Sequence, residues 1–98
     1  MEPITLTILA IMAAAAGGTA LAVVAWSTVR NWVWGHKVPQ GTGEIIQRKL
    51  TSGEYVVVAG VFSRSGTQVA KETWRARQLD SELEAEFRRN GGKIVVTF

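Results

Sequence analysis

The sequence predicts an α+β chain in two parts: one N-terminal transmembrane α-helix, then a small β-β-α-β domain. Three observations carry this. Residues 4–29 form an apolar run without one charged side chain. Residues 54–62 (EYVVVAGVF) are valine-rich and apolar on both alternating faces. Residues 80–92 carry helix start and stop signals around Leu79, Leu83 and Phe87, spaced four apart.

The apolar run comes first. An uncharged stretch longer than about 18 residues reads as a membrane span, because backbone polar groups in lipid must pair within the segment. Pro3 suits the first turn of a helix, where a missing N–H costs nothing. A helix over residues 3–34 would be roughly 46 Å long at 1.5 Å per residue, against a hydrocarbon core of about 30 Å. Its last turns should therefore emerge among the headgroups. Trp26, Trp32 and Trp34 cluster at that end with Arg30 and Lys37, as interfacial anchors do. Residues 1–29 carry only Glu2, whereas residues 30–98 carry all 11 Lys and Arg. The positive-inside rule then predicts a single-pass protein of a bacterial inner membrane, with the N-terminus outside and the C-terminal domain in the cytoplasm. A cleaved signal peptide is the rival reading, since AAAAGG could supply a small-residue cleavage site. The acid in MEPIT and the ten apolar residues beyond that site speak against it. Within the span, Ala10, Ala14, Gly18 and Ala22 recur every four residues, with Ala13, Gly17 and Ala25 alongside. This predicts a groove for a second helix.

Residues 35–43 (GHKVPQGTG) hold three glycines and a proline, and predict a linker. The soluble domain then occupies residues 44–98. Its first stretch, 44–50 (EIIQRKL), fits either a strand or a short helix, and a strand is favoured. Residues 54–62 predict a strand with Tyr55, Val57, Ala59 and Val61 on one face and Val56, Val58 and Phe62 on the other. Apolarity on both faces predicts a central position. Residues 63–66 (SRSG) predict a hairpin loop with Gly66 left-handed, and 67–77 a partner strand with one wet face bearing Lys71, Thr73 and Arg75. Asp80 or Ser81 is the expected N-cap of the following helix, Ser81 and Glu84 a capping box, and Asn90-Gly91-Gly92 the stop. Residues 93–98 (KIVVTF) close the chain as a strand, expected beside 54–62. The helix should cover one face of this sheet. The other needs a cover from residues 44–50, a membrane surface or a partner.

A soluble part of about 60 residues buries only about 60% of its unfolded surface and is marginal alone. The chain has no cysteine, so no disulfide or thiolate metal site reinforces it. Candidate chemistry is sparse. His36 is the only histidine and lacks companion ligands. Asp80, Glu82, Glu84 and Glu86 suit the positive end of a helix dipole and need no catalytic role. Gly41-Thr42-Gly43 is too short for a phosphate cradle. Ser63, Ser65 and Thr67 have no histidine partner and no nucleophile elbow. No catalytic, cofactor or metal site is expected. Arg64, Lys71, Trp74, Arg75 and Arg77 are candidate contacts to a partner or to anionic lipid, and a basic ribbon with an aromatic could also bind nucleic acid.

The function expected from these residues is a non-catalytic accessory subunit of a larger membrane assembly, whose partners are other membrane protein subunits. The alternatives are a self-assembling, bilayer-permeabilising protein like a phage holin and a membrane-tethered nucleic-acid binder.

Overall fold

Residues 19–98, which the computed structural model describes, form a five-stranded mixed sheet with two helices on one face. In chain order the elements are β1 (Thr19–Ala20), α1 (Trp26–Gly35), β2 (Thr42–Lys49), β3 (Tyr55–Phe62), β4 (Gln68–Ala76), α2 (Ser81–Arg89) and β5 (Lys93–Thr97). The sheet order is β1-β4-β3-β2-β5, with β1 parallel to β4 and every other pair antiparallel.

The transmembrane helix, and with it the single-pass topology and the inner-membrane location, is overturned by the residues at its centre. Thr19 and Ala20 pair in parallel with Trp74 and Arg75. The Leu21 N–H donates to the Arg75 carbonyl (2.8 Å) and the Val24 N–H to the Gln78 carbonyl (3.1 Å). Ala25 is still extended, at φ −96° and ψ 145°. A chain that spends its N–H groups on a neighbouring strand cannot be helical there. What remains helical is α1, 10 residues long. It spans about 15 Å, half of the roughly 30 Å a hydrocarbon core requires. No described helix is long and apolar enough to cross a membrane. The apolar side chains of this stretch face protein instead: Val24, Val29 and Val33 are fully buried in the core. Of the small-residue ridge, Ala10, Ala14 and Gly18 lie outside the described residues. Ala22 sits exposed in the extended stretch between β1 and α1.

The β2–β3 hairpin turns at residues 50–54, where the Gly53 N–H donates to the Leu50 carbonyl (3.0 Å). Gly53 has φ 92°, a conformation that favours glycine. The ambiguous stretch 44–50 is therefore sheet, within β2. Its presence changes where the last strand goes. Both edges of β3 are taken by its hairpin neighbours β2 and β4, so β5 pairs with β2, not with β3 as the alternation had suggested.

The two faces of β3 divide as its alternation implies. Val57, Ala59 and Val61 join Ile45, Trp74, Ala76 and Ile94 under Val29 and Val33 of α1 and Leu83 and Phe87 of α2. Ile46, Val56, Val58 and Phe62, with Leu50 at the rim, form a separate cluster on the opposite face. Glu44 and Thr73 are buried on that second face as well. Thr73 belongs to the row of β4 read as wet. Arg75 in the same row is half-buried and pairs with Glu54 at 3.5 Å.

Between α1 and β2, Gly41 is buried in a tight turn. Its N–H donates to the Val38 carbonyl (3.1 Å) and its own carbonyl accepts from the Phe98 N–H (3.1 Å). A β-carbon at residue 41 would collide with the Phe62 carbonyl oxygen and Val38 Cγ2. Because one of these is backbone, relief requires the chain itself to move. Gly41→Ala should lose about 1–2 kcal/mol in urea unfolding, the range seen for overpacked sites. An unchanged midpoint would show that the turn relaxes freely.

Candidate functional site

The strongest candidate site lies where β5, the end of α1 and the turn after it meet. β5 is the last strand of the sheet, with β2 on one side only among the described residues. Which of its backbone groups face β2 follows from register. The Phe98 N–H donates to Gly41, Phe98 therefore opposes Gly41 in a hydrogen-bonded pair, and such pairs alternate along an antiparallel ladder. Val96 opposite Gly43 and Ile94 opposite Ile45 then also bond inward. Val95 and Thr97 point their N–H and C=O groups away from β2. Val95 is about half exposed.

Beside this edge is an apolar cleft of about 430 Å³ lined by Trp34, Lys37, Val38, Pro39 and Phe98. Trp34, in the last turn of α1, is 43% exposed. Its ring meets Phe98 edge-to-face at 5.3 Å, and the Lys37 ammonium lies 5.5 Å from its centroid. The helix end that carries Trp34 is well held. His36 Nδ1 is 2.8 Å from the Trp32 carbonyl oxygen, and the two rings stack at 4.4 Å. The wall opposite Trp34 is the turn 38–41, with proline second and Gln40 third at φ 59°. Proline there and a positive φ after it form the type II pattern, although the third place favours glycine or asparagine. The cleft is thus framed by a rigid helix end and a proline turn, both fastened to β5.

A second hollow of about 350 Å³ lies between the sheet and α2, lined by residues that include Gln47, Tyr55, Glu84 and Arg88. The Gln47 side-chain oxygen is buried there and has no hydrogen-bond partner among the described residues.

The other residues singled out by sequence are dispersed. Trp26 is half-buried, its backbone N–H 3.2 and 3.3 Å from the two Asp80 carboxylate oxygens. Trp32 packs edge-to-face on Trp74 at 5.9 Å. Trp74 is buried beneath the helices, while Lys71 and Arg75, which alternate with it along β4, belong to the opposite face. The aromatic and these two cations therefore cannot grip one strand of nucleic acid together. Arg64 and Arg77 are exposed, as is Arg30 on α1. Asp80 is the N-cap of α2, accepting from the Leu83 N–H at 2.8 Å, so the Ser81–Glu84 box is not the cap. Glu86 pairs with Arg89 at 2.7 Å, and Glu82 and Glu84 are exposed. Ser63, Ser65 and Thr67 bond to one another around the hairpin loop, where Gly66 has φ 89°. Among the described residues, no group of three His, Cys, Asp or Glu could hold a metal ion.

Sequence alone named Trp34 and Lys37 but missed Val38, Pro39, Val95 and Phe98. The exposed Val95 in the terminal alternation was the available signal. Compared with protein-family models, with curated proteins and with solved structures, the chain matches none.

Proposed function

We propose that this protein is a non-catalytic interaction module that captures an extended segment of a partner protein along β5. One observation carries the reading: the outward N–H and C=O groups of Val95 and Thr97 stand directly beside the Trp34–Phe98 cleft. Strand addition supplies affinity through main-chain bonds, and specificity through pockets for alternate side chains. A strand laid against β5 would send the side chains of one face past Val96 and Phe98 toward the cleft. An apolar or aromatic anchor fits a lining of tryptophan, proline and phenylalanine. An acidic residue beside that anchor would meet Lys37. The net charge of +3 favours the same acidic, extended partner.

Val95→Pro tests this in the full chain. Proline removes the outward N–H of residue 95 and leaves the inward ladder intact, so it blocks an incoming strand without breaking the sheet. The probe is a peptide selected on the wild-type chain from a random displayed library. Val95→Pro should weaken its binding about tenfold, the loss of one net hydrogen bond together with the clash of the proline ring against an incoming strand. Trp34→Ala should weaken it by a similar factor while the thermal midpoint stays near wild type. Equal affinity for wild type and Val95→Pro, or a peptide footprint away from residues 93–98, ends the proposal.

A further inference from the structure

The hollow between the sheet and α2 holds polar groups that the fold itself leaves unused. Gln47 stands opposite Val57, so it lies on the helix-covered face, where Ile45 and Val57 are core. An apolar side chain would pack there. Instead, the Gln47 side-chain oxygen is sealed from water without a donor, a costly arrangement unless something else supplies one. Glu84 and Arg88 stand one turn apart on α2, in the order that favours an ion pair. Yet both line the hollow, and among the described residues neither side chain makes an ion pair or a hydrogen bond. Two opposite charges are thus offered side by side at the rim. We propose that this hollow binds a free α-amino acid with an apolar or aromatic side chain.

The ligand's carboxylate pairs with the Arg88 guanidinium, whose planar fork matches it. Its ammonium pairs with Glu84. Spacing selects this class of ligand. The β-carbons of residues four apart on a helix are about 5–6 Å from each other, so the two charged tips bracket a cation and an anion carried on one carbon. Gln47 supplies a third contact. Rotation about its last side-chain bond is soft, so an ammonium N–H in the hollow draws the oxygen out as its acceptor. The ligand's side chain lies on the buried Leu79 and Phe87 and on Tyr55, whose ring is steadied by the Lys49 ammonium at 5.5 Å. The wall at Gly91 and Gly92 is bare backbone at φ 71° and 95°. A β-carbon at either would meet nothing within 4 Å, so the space is open. At about 350 Å³ the hollow stands at the small end of ligand sites, roughly 300–1,000 Å³. That suits a single amino acid.

The test is a titration of the full-length, isotope-enriched chain with L-phenylalanine, followed by nuclear magnetic resonance. The backbone amides of Tyr55, Gly91 and Gly92 and the side-chain amide of Gln47 should shift together. For a ligand of about 12 non-hydrogen atoms, a dissociation constant on the order of 1 mM is expected. Phenethylamine, which lacks the carboxylate, and 3-phenylpropanoate, which lacks the ammonium, should each bind about fivefold more weakly or worse. Glu84→Gln and Arg88→Gln, both at exposed positions, should weaken phenylalanine binding by a similar factor while the thermal midpoint stays near wild type. No shift at these residues with about 20 mM ligand, where such a site would be nearly full, overturns the proposal. So does equal binding of phenylalanine and the two analogues, which would make the hollow an apolar dent only. Unchanged affinity in both variants overturns it as well. None of these residues lines the Trp34–Phe98 cleft, so the two proposals stand or fall separately.

Discussion

Asp80→Ala should destabilise the fold by about 2–3 kcal/mol, because one carboxylate serves two helices. It accepts from the Leu83 N–H as the N-cap of α2 (2.8 Å) and from the Trp26 N–H at the start of α1 (3.2 Å). Loss of a cap costs about 1 kcal/mol, and a part-buried N–H left without an acceptor costs about 1–3 more. The negative charge also stands at the positive ends of two helix dipoles. For a domain of this size, about 2–3 kcal/mol lowers the thermal midpoint by roughly 10–20 °C. Asp80→Asn keeps an acceptor oxygen and should recover about half of the loss. Thermal and urea unfolding followed by circular dichroism would measure both. A loss below about 0.5 kcal/mol for the alanine variant would place it among ordinary surface substitutions and refute the shared cap.

Leu83→Ala should cost about 3–4 kcal/mol, the largest single effect expected here. Leu83 is fully buried where α2 meets the sheet. Its neighbours Phe87, Val57 and Trp74 belong to rigid elements and cannot collapse far into the space. The penalty therefore includes both lost transfer energy and a residual cavity. A domain of about 80 residues has about 4–12 kcal/mol in total, so this change removes a large share of it. Glu82→Ala, one residue away and exposed, should stay within about 0.5 kcal/mol. Equal midpoints for the two variants would mean that α2 does not hold the sheet.

The parts of this fold that could be read from sequence were those whose signals are local. The alternation through residues 55–62 separated the two faces of β3 correctly, and Asp80 marked the start of α2. The start of α1 was invisible for a physical reason. Ala25 precedes it and offers no side-chain cap. The carboxylate that meets Trp26 comes from Asp80, 54 residues along the chain. With no local stop or start, an edge strand followed by a buried helix looks the same as one long lipid-facing helix. The adjacent pair Val23 and Val24 was the only hint of extended backbone. The candidate site was hidden in the same way. Trp34 and Lys37 read as lipid anchors because the residues that make them a cleft, Pro39 and Phe98, are brought there by the bond between Phe98 and Gly41. Trp74 and its basic neighbours, adjacent in sequence, are split between opposite faces by the two-residue period of a strand.

The parallel pairing of β1 with β4 has a bearing on how the chain is made. Thr19 sits beside Trp74, a separation of 74 − 19 = 55 residues. During synthesis at about 5–20 residues per second, roughly 3–11 s pass between the two. For that interval β1 has been translated while the strand it pairs with has not. The first strand of the sheet must therefore wait for the fourth, while the β2–β3 hairpin can already form, and only the opposite edge, where β5 meets β2, closes later.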